Sequence, residues 1–541
     1  MSQDCIDAVL PTLTSFAASS ANEIATAICT ALDNKTATLA TQDSLDTVAS
    51  GLEGTTLGLN TLLLLYGGAL VFLMHGGFAM LEAGAIRSKN AMNILLQTIM
   101  DAACSAIMWY LIGFGFAFGM GNQAMKKWDD TRGAYLGSTT SRFIGDAMFG
   151  LARYKTHFTG SGTGKWVDFF FQWAFCATAV TIPAGSVAER FNFNAYLGYS
   201  TFIAGWVYPV VAHWAWCPTG WLGYGVNEPV FKAGYIDFAG SGVIHMTGGL
   251  AGLIGAIMVG PRLGRFDADG NPVEMPGHSA ILVVLGTVLL WFGWYGFNPA
   301  SILNINTIEY ATVCGRAAVT TTLAGAAGGI CCLFNGFRRH RGWDLVGMCN
   351  GILCGFVAIT ACCHVVEPWA AIICGGVAGV WFDFLCWLLL KLKIDDPLSA
   401  GPMHFGTGMW GVFFTGLLAK QEYIREVYVH QPSYWGLITK EYPYGAFYKK
   451  SDGKLLGSQI IGILAIIAWV SGNMIAFFGI FKLFKALRIP PEVEEIGLDR
   501  SKHGGSAYNT GNGPTTLGGA PGNDVMRNNS PPSAKVLPMN G

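Results

Sequence analysis

DFAGSGVIHMTGGLAGLIG, residues 237–255, and DPLSAGPMHFGTGMWGVFF, residues 396–414, carry one pattern twice. Asp237 precedes His245 by eight residues, and Asp396 precedes His404 by eight, each at the head of a long apolar, glycine-rich run without charge. Aspartate is a strong helix N-cap, and Asp396-Pro397 reads as a cap followed by a proline in the first helical turn. Eight residues of helix rise about 12 Å. That sets each imidazole near the middle of an apolar layer about 30 Å thick. If the two helices enter from opposite faces, both rings meet near the midplane. Ionisable groups at that depth are costly and mark a pathway by default.

The rest of the chain supplies such a layer. Of 541 residues, 52% are hydrophobic and only 12% charged, and the mean hydropathy is +0.41. Charge-free runs repeatedly exceed the length needed to span a bilayer, so the chain reads as an all-α polytopic membrane protein. The net charge of −1 points to no polyanionic partner. No nucleic-acid motif, phosphate loop or dinucleotide fingerprint occurs, which argues against an ATP-driven pump and against nucleic-acid binding. Residues 1–50 lack a basic segment followed by an apolar stretch, so no cleavable signal is expected. Most of the fourteen cysteines, among them Cys104, Cys176, Cys331, Cys332, Cys362 and Cys363, lie in apolar runs and read as small hydrophobes. None has the paired spacing of a zinc site, and no metal or cofactor is expected.

Apolar runs between polar breaks give eleven spans: 57–82, 91–119, 166–187, 195–213, 237–260, 278–303, 310–335, 343–364, 366–390, 397–420 and 456–484. One set of span ends carries thirteen Lys and Arg, from Arg87 and Lys89 through Arg190, Arg262, Arg265, Arg338, Arg339, Arg341, Lys391, Lys393, Lys482 and Lys485 to Arg488. The opposite short loops carry only Lys232. The basic side is therefore cytoplasmic. An odd span count then leaves the N-terminal segment 1–56 outside and the C-terminus inside. Asn34 begins an Asn-Lys-Thr glycosylation sequon in the outer segment. Cys5 and Cys29 would face an oxidising space there, where two thiols can pair. Span five runs inward and span ten outward, so the doubled Asp–His pattern sits at equivalent places of an inverted five-helix repeat, with the eleventh span added. Such repeats hold their substrate near the midplane.

Two imidazoles in contact can share one proton, and burial disfavours charging both. Such a pair suits proton handling or hydrogen bonding to a small polar solute. His75, His213 and His364 have no such partner in the pattern and read as packing. Aromatic residues crowd 169–175 (FFFQWAF) and 289–301 (LLWFGWYGFNPAS). Trp216, close in sequence to Asp237, offers either packing or a cation–π face. Asn298-Pro299 breaks span six. The spacings Gly248–Gly252 and Gly375–Gly379 permit close helix approach.

FAMLEAGAIRSKN, FFFQWAF, GSVAERF, YPVVAHWAW, DFAGSGVIH, WYGFNPAS, AVTTTLAG, DDPLSAGPMH and KALRIPPEVEEIGLDRSKHGG occur in one order across roughly residues 55–508. In these the chain resembles the Amt/Mep/Rh ammonium transporters, and most closely their plant- and alga-type Amt branch. The resemblance implies eleven helices per subunit in a homotrimer, one pore per subunit, ammonium, ammonia and methylammonium as solutes, and a plasma-membrane location. It implies an outer recruitment site at Trp216, Phe175 and Ser301 with Asp237 behind it. A stacked gate of Phe175 and Phe297 follows, and then the pore lining of His245, His404 and Trp294. Trp216 stands where the Amt branch carries tryptophan and the Rh branch does not. Ala300 departs from the glycine expected before Ser301.

Residues 57–487 form the membrane domain in this reading. Residues 488–508 resemble the Amt cytoplasmic tail, which packs on the neighbouring subunit and couples the pores. There Gly497 supplies a backbone conformation closed to other residues, and Ser501 is the candidate for a cytoplasmic kinase or regulator. Residues 509–541, rich in Gly, Asn, Pro and Ser, are expected to be disordered. Within the same fold the alternatives are a neutral ammonia or carbon dioxide channel of the Rh kind, and an ammonium sensor. An enzyme is disfavoured, because no nucleophile stands beside the histidines in a soluble cleft.

Overall fold

The computed structural model describes residues 25, 42–120, 128–129, 134–135, 141–152, 166–226, 228–428 and 441–508. Asn34, Cys5, Cys29 and the segment 509–541 lie outside them. Every segment expected to span contains a helix. These are α1 (Gln42–Ala85), α2 (Ala91–Met108, continued through Trp109–Gly113 to Phe118), α3 (Trp166–Val187) and α4 (Phe193–Phe202, continued through Ile203–Val207 to Trp216). There follow α5 (Ser241–Met246 into Thr247–Val259), α6 (Ala280–Phe297), α7 (Ile308–His340), α8 (Leu345–Ile359), α9 (Pro368–Lys391), α10 (Gly401–Gly406 into Thr407–Leu418) and α11 (Lys454–Leu483). By length and composition, eight of the helices among the described residues can cross a membrane. Of the other three, α8 is shorter and α4 and α10 are less apolar. The only strands among the described residues are Trp128–Asp129 and Ala134–Tyr135, two residues each and antiparallel.

Burial sorts the helices. The central α5 is buried along nearly its whole length, whereas α9 and α11 leave apolar side chains such as Ile373, Trp387, Leu464 and Ile480 exposed. A helix apolar all round belongs in the interior or in lipid, and this protein has both kinds. Small residues set the close approaches. A methyl on Gly67 of α1 would overlap the methyl of Ala300, so the alanine that replaces the expected glycine is accommodated by Gly67 across the interface.

Three boundaries differ from the sequence reading. The first helix begins at Gln42 rather than 57. Its early turns leave Val48, Leu52 and Leu57 exposed, so they extend the helix without packing against the rest of the chain. The second difference is more consequential. Asp237–Gly240 is not helical, and α5 starts at Ser241. The amides of Phe238 and Ala239 donate to the carbonyls of Ala361 and Thr360, at 3.1 and 3.2 Å, so a neighbouring loop holds this segment outside the helix. Pro397 likewise falls in a turn before α10 rather than in its first helical turn, and Pro402 takes that place. From the first helical residue to the histidine the rise is about 5–6 Å rather than 12.

At the end of the bundle that carries the C-terminal tail, buried ion pairs tie the loops together. Glu189 meets Arg87, and Arg262 lies 2.8 Å from Glu189 and 2.9 Å from Asp395. Arg265 adds a second partner to Asp395 at 3.2 Å. Burial pushes the Asp395 carboxyl up, and the hydrogen bonds from Arg262 more than reverse this, leaving it at about 2.

The tail packs on this base through two short helices, α12 (Pro491–Ile496) and α13 (Leu498–Lys502). Asp499 accepts the amides of Met92 and Asn93 at 3.0 Å each, capping α2. Lys89 donates to the carbonyls of Glu494 and Glu495, each at 2.7 Å. Gly497 has φ of 97°, and a methyl there would run into Lys89. The Ser501 hydroxyl is half-buried and donates to the Gly497 carbonyl at 2.7 Å.

Candidate functional site

The two Asp–His segments build matching ends. The Asp237 carboxylate accepts the amides of Gly240 at 3.1 Å and of Gly242 and Val243 at 2.8 Å. The Asp396 carboxylate accepts those of Ala400 and Gly401 at 3.0 and 2.7 Å. Three residues after each aspartate the backbone turns left-handed, at Gly240 (φ 105°) and at Ser399 (φ 54°). Both helices then open with a π-turn that contains the histidine, Ser241–Met246 and Gly401–Gly406. Single π-turns are rare and concentrate at functional positions, because the extra residue per turn re-aims a side chain.

The re-aimed rings meet. His245 Nδ1 lies 3.2 Å from His404 Nδ1, with the ring planes 12° apart. His245 is wholly buried and its Nε2 has no hydrogen-bond partner among the described residues. One nitrogen of the contact must donate and the other accept, so the pair holds a single proton between them. Trp294 lies nearly parallel to His245, with centroids 5.6 Å apart. Its indole N–H donates to Thr360 Oγ1 at 3.1 Å, which fixes the ring.

A cavity of about 400 Å³ approaches this pair from the Asp237 side, lined by Phe175, Trp216, Asp237, Ser301, Tyr224 and Tyr428. Trp216 donates its indole N–H to the Asp237 backbone carbonyl at 2.7 Å. Asp237 therefore holds the indole with its main chain while its carboxylate caps the helix behind. The Ser301 hydroxyl donates to the Phe297 carbonyl at 2.7 Å, leaving its oxygen lone pairs for an acceptor role. Phe175 and Phe297 stack at 4.4 Å, both almost fully buried, between this cavity and His245. On the far side a second cavity, of about 330 Å³, reaches His404 and is lined by Phe78, Ile182, Met403 and Val346 among others. The order along the protein is cavity, paired phenylalanines, paired histidines, cavity.

All eight sequence-derived residues of this path thus come together: Trp216, Phe175, Ser301, Asp237, Phe297, His245, His404 and Trp294. Gly497 and Ser501 lie apart, in the tail. Thr360, which orients Trp294, and Phe78, which lies 6.2 Å from His404, were not among the expected site residues; Phe78 opens the motif FAMLEAGAIRSKN, and no motif marks Thr360. Of the histidines read as packing, His213 is buried with its two ring nitrogens 2.9 and 3.1 Å from the carbonyls of Ala117 and Ser141, to one of which a neutral ring donates. His364 is nearer the site than expected, stacked at 4.1 Å on Phe238 and 3.3 Å from the Tyr428 hydroxyl. Among the described residues no cluster of His, Cys, Asp and Glu is arranged to hold a metal ion.

The Ammonium Transporter Family profile matches residues 62–508. Ammonium transporter 1 member 3 of Solanum lycopersicum is 46% identical over 464 residues, covering 83% of this chain and 93% of that protein. Ammonium transporter 1 member 1 of Arabidopsis thaliana is 46% identical over 439 residues, 79% of this chain and 81% of that protein. Among solved structures, a Sensor Amt Protein superposes with a TM-score of 0.70 at 31% identity, covering 83% of this chain and 99% of that one. Saccharomyces cerevisiae Mep2 gives 0.65 at 27% identity, over 80% and 88%. With this family match and these relatives, the chain belongs to the ammonium transporter family, in its plant-type branch: a multi-pass membrane protein that transports ammonium and is not an enzyme.

Proposed function

We propose that ammonium enters as a cation, crosses the histidine pair as ammonia, and leaves on the tail side. The observation that carries this is the sealed stack of Phe175 and Phe297 directly before two hydrogen-bonded neutral imidazoles. Ammonium and potassium are close in size, so size alone separates them poorly. An apolar constriction strips water from either ion at a cost of several kcal/mol. Ammonium alone can replace that water with directed N–H bonds, or leave its proton behind.

Trp216 supplies a cation–π face, Ser301 an acceptor oxygen, and Asp237 a negative charge behind both. These compensate the cation before the gate. Past the gate, neutral ammonia needs only hydrogen-bonding partners, and the bare Nε2 of His245 is one. A tryptophan anchored for cation contact favours this reading over a neutral channel of the Rh kind. Eleven spans, an outer N-terminus, an inner tail, the plasma membrane and a homotrimer with one pore per subunit complete the proposal. Methylammonium, with the same donor chemistry, is a second solute.

The test is current and internal pH recorded together on purified protein in liposomes after ammonium or potassium is added. Ammonium is expected to give flux where potassium gives none comparable. Equal fluxes of the two ions would refute the pore logic. The same record separates electrogenic from neutral transport.

A further inference from the structure

The tail-side cavity holds a carboxyl group that the path so far does not use. Glu82, on the last turns of α1, lines the same cavity as His404 and is 2% exposed. Its only hydrogen bond among the described residues is a long one, 3.4 Å from the Thr98 hydroxyl. That hydroxyl also donates to the Ile94 carbonyl at 3.0 Å, so Glu82 holds at most a share of it.

The other acids at this end of the bundle are treated differently. Glu189, Asp395 and Glu494 each face an arginine. Asp101, one turn beyond Thr98, accepts from the Tyr196 hydroxyl and from Ser200 at 2.8 Å. Asp396 caps α10. Glu82 alone among these has neither a cation nor a set of donors. A buried carboxyl without partners is costly as an anion. It is stable here in two ways, holding a proton or beside a mobile cation. The cavity joins this carboxyl to His404, the inner end of the histidine pair.

We propose that Glu82 is the acid that returns a proton to ammonia on the tail side, and that it holds the resulting ammonium until the ion leaves. This rests on the reading that ammonia crosses the histidines. In the step, the carboxyl O–H bond breaks and an N–H bond forms on the ammonia lone pair, leaving ammonium beside a carboxylate. The ion departs into bulk water, and a proton from hydronium in the cavity restores the acid. On the tail side Asp396 is fixed by two backbone amides. Asp237 is fixed by three backbone amides, and Glu82 is left free to exchange a proton.

The experiment uses the full-length protein in oriented liposomes, with an ammonium gradient imposed from either face. Glu82→Gln is expected to leave the half-saturating ammonium on the Asp237 side within about twofold. It should raise the value on the tail side about tenfold, since a carboxylate across a cavity of low dielectric is lost to the departing cation. Glu82→Asp should restore most of the tail-side affinity. An unchanged tail-side value in Glu82→Gln, or an equal shift on both faces, overturns the proposal, the second outcome marking a packing role only. If the parent protein itself carries no ammonium in either direction, the pore reading fails first, and this inference with it.

Discussion

Replacing Asp237 separates two jobs that one side chain performs. Asp237→Ala removes the acceptor of three buried amides, on Gly240, Gly242 and Val243. Each buried donor left without a partner costs about 1–3 kcal/mol, and relaxation recovers part of it, so a loss of about 3 kcal/mol is expected. Asp237→Asn is gentler. Its one carbonyl oxygen can face the pair from Gly242 and Val243, leaving only the Gly240 amide opposed by the new NH2, a loss of about 1–2 kcal/mol. Both variants lose the charge. A cation above the Trp216 ring sits on the order of 8 Å from the carboxylate, which at an effective dielectric constant of about 20 is worth about 2 kcal/mol, or about 30-fold in occupancy. The assay is uptake against ammonium concentration in liposomes, beside thermal unfolding of the same preparations. Asp237→Asn should remain folded while its half-saturating ammonium rises by more than tenfold. Uptake at the parental concentration dependence, from protein of parental stability, would refute the electrostatic role and reduce Asp237 to a cap.

Three further outcomes are expected. His245→Asp or His404→Asp should weaken discrimination against potassium, because a fixed carboxylate at that depth compensates a dehydrated ion that neutral imidazole does not; unchanged selectivity in both variants would leave the pair as packing. Ser501→Asp should lower flux without lowering surface abundance, since the hydroxyl that donates to Gly497 is replaced by an acceptor two residues from Asp499; parental transport by both this variant and a truncation at Arg488 would show that the tail does not gate. Asp395→Asn should destabilise at pH 7 by about 2 kcal/mol through linkage. A carboxyl held at about 2 against an ordinary 3.8 contributes fully above about pH 4 and loses that contribution as pH falls towards 2. The stability gap between parent and variant should therefore narrow by about 1 kcal/mol between pH 7 and pH 3, and a constant gap in denaturation midpoints would argue against a charged Asp395.

The doubled Asp–His spacing carried most of what was legible. It told of two equivalent helix starts and of histidines that meet, because an aspartate cap and an apolar run are both written in residue type. It did not tell of the π-turns. Nothing in SGVIHM or GPMHFG distinguishes a π-turn from an ordinary one, and the bonds that hold Phe238 and Ala239 out of the helix run to a loop more than a hundred residues later. The helix was accordingly expected to begin at the aspartate, and the depth of the histidine was reached by the wrong arithmetic. The roles of Thr360 and Phe78 were not legible for a related reason. Each matters only for the ring it touches, Trp294 in one case and His404 in the other. Phe175, Phe297 and Trp216 were located by resemblance, and their composition alone would have left them as a membrane belt. His364, read as packing for lack of a sequence partner, is buried and stacks on Phe238 behind the Asp237-side cavity.

The cap on α2 also orders events during synthesis. The amides of Met92 and Asn93 find their acceptor in Asp499, which lies 407 and 406 residues later in the chain. A ribosome adding about 5–20 residues per second reaches it roughly 20–80 s after the second helix has been made. Through that interval the head of α2 must be served by water at the bilayer edge. The subunit therefore completes one of its earliest helices with one of its last side chains, and a nascent chain interrupted before the tail carries an uncapped helix that a quality-control protease can find.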